Sequence, residues 1–161
     1  MSEKKPSVNI TGLKAGLIVS ISLIIYFMIM RFFNLTGSVI AWSFNLVILF
    51  TGIYFTYRYY RIKTKPNIDY LPGMLLGSIT TIVSAGIFTI FVYLFFSSVD
   101  AAQLLLLKDN ILFLGEGVTP LRVAGATVVE GISSGIVISF MMMQYYKSGF
   151  KISESDENDK G

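Results

Sequence analysis

Four stretches of this chain are each long and apolar enough to cross a lipid bilayer, and no other feature restricts its fold as strongly. A helix advances about 1.5 Å per residue, so a hydrocarbon core of about 30 Å takes about 20 apolar residues. Residues 12–33, 38–57, 71–96 and 120–143 qualify. The expected fold is an all-α bundle of four transmembrane helices. Composition agrees: 53% of residues are hydrophobic and 14% charged, against about 25% charged in soluble domains. Charges collect at the two ends and between the apolar runs, which implies one membrane domain at 12–147. Residues 1–11 read as a cytoplasmic tail, and 148–161, ending in SESDENDKG, as a disordered acidic one.

The spans carry helix punctuation. Residues 34–38, NLTGS, form a tight turn, and Thr119-Pro120 places a capping hydroxyl before a proline at the first helical position. Asp69 and Pro72 suit the opening of the third helix. Between spans three and four, Leu104 to Leu107 and Ile111 to Leu114 are apolar blocks too short to cross, and an interfacial segment is expected there.

Basic residues set the direction of insertion. Arg58, Arg61, Lys63 and Lys65 face one acid, Asp69, between spans two and three, whereas residues 97–119 hold three acids and one lysine. The first connection is therefore expected in the cytoplasm, with both termini on the same side. Lys4, Lys5, Lys14, Lys147 and Lys151 fit this orientation, and Arg31 is read as snorkelling to the far interface. The first apolar run is too long for a cleaved signal, and a retained anchor is expected. The Lys and Arg pattern is that of helix orientation, so no nucleic-acid partner is expected.

The chain has no Cys and no His. Thiolate nucleophiles, Cys/His zinc sites and the commonest neutral-pH base are thereby excluded. No cofactor, metal or catalytic residue is assigned. Gly131-Ile132-Ser133-Ser134-Gly135 matches the serine elbow G-x-S-x-G in letters, but it lies within a helix and no histidine is present to take the serine proton. Met141 to Met143 are read as lipid-facing bulk rather than a metal site.

Apolar side chains gain little by leaving lipid for one another, so membrane helices associate through close contact of small residues and hydrogen bonds. Gly12, Gly16 and Ser20 share one face of span one; Gly73, Gly77, Thr80 and Ser84 share one of span three; Gly131 and Gly135 repeat the spacing on span four. Ser38, Asn45 and Gly52 recur every seven residues on span two. These stripes are expected to face inward; the alternative is that small residues are simply common in membrane helices. Matching Gly12-x-x-x-Gly16 with Gly73-x-x-x-Gly77, and Arg58-Tyr59-Tyr60-Arg61 with Gln144-Tyr145-Tyr146-Lys147, also suggests two duplicated hairpins in parallel orientation.

Glu130 lies about 15 Å along its helix from Pro120, near the midplane. A charge there costs about 3 kcal/mol. The carboxyl is expected to face the bundle, beside Thr127, Ser133 and Ser134 on its own helix and level with Ser22, Asn45 and Ser84 on the others. Two uses compete: a proton or cation site, and a protonated group that holds helices together.

The succession Leu49-Phe50-Thr51-Gly52-Ile53-Tyr54, then Arg58-Tyr59-Tyr60-Arg61, a turn, and Gly73-Met74-Leu75-Leu76-Gly77-Ser78-Ile79-Thr80-Thr81 resembles a family of four-span proteins found mainly in Bacteroidota and defined only as a domain of unknown function. The resemblance covers about residues 10–147. It implies four spans and a bacterial inner-membrane address, and it brings no active site; members often have a longer, charged outer segment, whereas this one is short and Leu-rich. The expected partners are the lipid bilayer and either a second copy or another membrane protein. The expected role is that of a non-catalytic component acting through helix contacts, the alternative being a small transporter or transporter subunit with Glu130 as coupling site.

Overall fold

The computed structural model describes residues 7–35, 38–64, 70–98 and 118–158. They form four helices: α1 (Val8–Phe32), α2 (Val39–Thr64), α3 (Tyr70–Ser98) and α4 (Pro120–Asn158). All four are long and apolar enough to cross a membrane, the crossing stretch of α4 being Pro120–Tyr145. The segment expected to lie in the interface (99–117), residues 1–6, Lys65 and Asp69 fall outside the described residues.

Local chemistry sets the end of α1 and the starts of α2 and α4 where the sequence marks them, while α1 begins four residues before the expected span and α2 runs to Thr64, seven beyond it. Asn34 adopts φ 56°, the left-handed position that Asn tolerates better than most residues. Its N–H donates to the Arg31 carbonyl and that of Leu35 to the Met30 carbonyl, at 3.1 and 2.9 Å; the pair is a Schellman closure of α1. The Ser38 hydroxyl accepts from the Ala41 N–H at 3.5 Å and opens α2. The Thr119 hydroxyl accepts from the Arg122 N–H at 3.3 Å, with Pro120 as the first residue of α4. The C-terminal boundary differs from expectation. Helix α4 continues to Asn158, through residues read as disordered, because extending a formed helix needs no new nucleus.

Helix α3 lies at the centre, with α1 and α4 packed along it and α2 set more loosely across the three. The α1/α3 pair is parallel: Gly12 sits against Ile79 and Gly16 against Val83. The α3/α4 pair is antiparallel: Gly77 meets Ser139, Thr81 meets Gly135 and Ala85 meets Gly131. The start of α1, the end of α2, the start of α3 and the descending part of α4 therefore share one end of the bundle, the end that carries Lys14, Arg58, Arg61 and Lys63.

Packing differs between the two halves. Toward the basic end Gly12, Gly16, Ser20, Gly77, Thr80, Thr81 and Ser139 bring the helices close, with the larger Tyr57, Leu76 and Met143 buried beside them. In the other half Phe27, wholly buried, meets Phe95 and Phe91 edge to face at 5.1 and 5.6 Å, and Trp42 of α2 at 6.2 Å. Edge-to-face rings hold helices apart at full aromatic width, while glycines let backbones meet. The methionines differ from expectation: Met141 is exposed, whereas Met142 and Met143 are buried. Consecutive helical residues turn by about 100°, so two of the three fall on the side that packs.

Candidate functional site

The mid-membrane polar residues meet in a cavity of about 40 Å³ between α2 and α4, floored by α3. Asn45, Trp42, Leu46 and Leu49 line it from α2, Ser84, Ala85 and Phe88 from α3, Leu23 from α1, and Thr127, Glu130, Gly131 and Ser134 from α4. Of the residues chosen from sequence, Glu130, Asn45, Ser84, Thr127 and Ser134 are thus brought together. Ser22 and Ser133 are exposed and elsewhere, and the Ser22 hydroxyl donates to its own helix at Ile18, 3.0 Å away. Its neighbour Leu23 reaches the cavity, and the turn of about 100° between consecutive helical residues leaves Ser22 on another side of α1.

Glu130 lines the cavity but is exposed, contrary to the expectation that it faces the bundle interior. The cause lies in the next residue. A Cβ on Gly131 would stand 3.0 Å from that of Ala85, and Gly135 presses on the Thr81 side chain; these close contacts fix which side of α4 meets α3. Glu130, about 100° around the helix from Gly131, is turned to the rim where the cavity opens.

The hydroxyls around it are engaged locally. Ser84 donates to Thr81 at 3.1 Å and Thr127 to Val123 at 2.9 Å, both to backbone carbonyls. Neither bond reaches Glu130. The Asn45 Oδ1 is buried without a hydrogen-bond partner, as are the hydroxyls of Thr81 and Thr89. A buried polar atom left in this state costs about 1–3 kcal/mol, so Asn45 and Glu130 leave one cavity with unmet hydrogen-bonding capacity. Among the described residues no three acidic side chains converge, and the cavity offers one carboxylate.

The remaining assigned residues serve packing and charge. Gly12 and Gly16 press on α3, and Gly77 lies against Ser139 of α4 and Tyr57 of α2. Gly73 is buried, and its carbonyl accepts the Tyr57 hydroxyl at 2.7 Å. The glycines that match in sequence therefore meet different partners: Gly16 faces α3, whereas its counterpart Gly77 faces α4 and α2. Arg58, Arg61 and Lys63 are exposed beyond the apolar stretch of α2, with the Lys63 Nζ 5.0 Å from the centre of the Tyr59 ring. Sequence reasoning missed Trp42, Tyr57 and Ser139. Trp42 is the chain's single tryptophan and was the signal available for the cavity wall.

Compared with known protein families, curated proteins and solved structures, the chain matches none.

Proposed function

We propose that this chain is a non-catalytic component of a bacterial inner membrane that works by binding another membrane helix, from a second copy or a different protein, over the face carrying Glu130. One observation carries the reading: a carboxyl at mid-span lies at the exposed rim of a cavity that also holds the unpartnered Asn45 Oδ1. A charge facing hydrocarbon at this depth costs about 3 kcal/mol. A neighbouring helix that supplies a hydrogen-bonding group to Glu130 and covers the opening removes that cost. Both termini lie in the cytoplasm in this proposal, on the side of Arg58, Arg61 and Lys63.

A second reading, a small transporter or transporter subunit coupling a proton or cation at Glu130, is favoured by the cavity itself. Its volume of about 40 Å³ admits a water beside the carboxyl.

Substitution at Glu130 separates the two. In vesicles, energy transfer between labelled copies, or co-isolation with a partner, is expected to survive Glu130→Gln and to weaken on the order of tenfold in Glu130→Leu, as loss of interhelical hydrogen bonding implies. Unchanged association in both variants rules out the assembly reading. A pH-dependent flux present in the parent and lost in Glu130→Gln establishes transport instead.

A further inference from the structure

A second concavity lies between α1 and α2 and shares no lining residue with the Glu130 cavity. It is a groove of about 1100 Å³, bounded by α1 from Ser7 to Ser22 and by α2 from Val47 to Tyr59. That stretch of α1 is about 20 Å long, somewhat more than one leaflet's share, about 15 Å, of the hydrocarbon core.

The groove is charged at one end only. Ser7, Thr11 and Lys14 line it at the basic end of the bundle, spaced so that they fall on one face of α1. Ser7 precedes α1 without capping it through its side chain. Farther in, the walls are Ile18, Val19, Val47, Ile48 and Phe55. The hydroxyls found there turn back to their own helices: Ser22 donates to Ile18 at 3.0 Å, Thr51 to Val47 at 2.8 Å and Thr56 to Gly52 at 2.7 Å. They thus present carbon to the groove. Among the described residues that line it, Lys14 is the one charged side chain and none is a carboxylate. Lys14 lies about 9 Å inside the start of α1, a depth from which its stem carries the ammonium up to the phosphate level.

A cation and hydroxyls at the membrane surface, continued by an apolar channel slightly longer than a leaflet, complement one kind of molecule. We propose that the α1/α2 groove binds an anionic phospholipid, its phosphate at Ser7, Thr11 and Lys14 and one acyl chain along the channel toward Val19 and Ile48. Basic groups between transmembrane helices on the cytoplasmic side attract anionic headgroups, by about 1 kcal/mol for each Lys or Arg.

The full-length protein is reconstituted in vesicles of phosphatidylcholine and phosphatidylglycerol with matched acyl chains, released in mild detergent, and the lipid retained per chain is read by mass spectrometry of the intact complex. The parent is expected to retain phosphatidylglycerol preferentially. Lys14→Gln should reduce that preference about fivefold, the share of one lysine near an anionic headgroup. Ala15→Trp, which fills the groove, should reduce retention of both lipids, and Arg58→Gln, outside the groove, should leave the preference intact. Helix content measured on each variant identifies any that fails to fold. Equal retention of the two lipids by the parent overturns the proposal, as does an equal effect of Lys14→Gln and Arg58→Gln. A lone cysteine at Ile18 that cross-links two copies in the vesicles also overturns it, by assigning the groove to a second chain.

Discussion

Gly16 leaves no room for a side chain: a Cβ there would lie 2.7 Å from that of Val83 and 3.0 Å from the Thr80 carbonyl oxygen. Gly16→Val should therefore push α1 off α3 and lower stability by about 1–3 kcal/mol, the range for overpacked cores. Thermal unfolding in detergent reads this. Gly86 has nothing within 4 Å of the corresponding position, and Gly86→Ala should stay within about 1 kcal/mol of the parent in the same assay. Tyr57, wholly buried, donates its hydroxyl to the Gly73 carbonyl at 2.7 Å. Tyr57→Phe removes the hydrogen bond to Gly73 between spans and should cost about 1 kcal/mol; a loss several times larger would show that the hydroxyl does more than bridge α2 and α3. Glu130 was legible as an unusual residue because its depth follows from counting. Its direction was not, since the rotation of α4 is set by the contacts of Gly131 and Gly135 with Ala85 and Thr81.

At the scale of the helix, the ends at turn and cap residues are readable, whereas the start of α1 at Val8, the end of α2 at Thr64 and the facing partners are not. Asn34 in the left-handed region, Ser38 before α2 and Thr119 before Pro120 all act through atoms within a few residues, so sequence carries the whole of their chemistry. Asn34→Ala keeps the Cβ but loses the short amide that makes this backbone region tolerable for Asn, and should cost about 1 kcal/mol, while Asn34→Gly, which has no Cβ to strain, should be tolerated. The same unfolding measurement distinguishes them, and equal costs would mean that the side-chain amide, 3.4 Å from the Arg31 guanidinium, matters more than the backbone angle. The end of α4 escaped for a related reason: composition reports whether a segment can bury a core, whereas a helix already formed can run on past the apolar stretch.

For the whole molecule, the central place of α3 has a basis in its sequence, where Gly73, Gly77, Thr80, Thr81, Ser84 and Ala85 give it more than one close-packing face. Which helix takes each face depends on the assembled bundle. The parallel α1/α3 contact and the different partners of Gly16 and Gly77 show that similar spacing does not impose equivalent packing. Orientation across the membrane is open to a direct check, because the chain has no cysteine of its own. A single cysteine at exposed Ile62 should react with an impermeant reagent from the cytoplasmic side alone, and one at exposed Ser98 from the opposite side alone. Reversed labelling would invert the proposed topology.

The order of residues along the chain sufficed for four apolar helices long enough to cross a membrane and for their limits near the turns, since each depends on hydrophobic length or on chemistry between near neighbours. The rotation of each helix about its axis, and with it the rim position of Glu130, the separation of Ser22 from Asn45 and the groove beside Lys14, came from packing. In a bilayer apolar residues fit on either side of a helix, so hydrophobic pattern alone gives no face; steric contact at Gly16, Gly77, Gly131 and Gly135 supplies it.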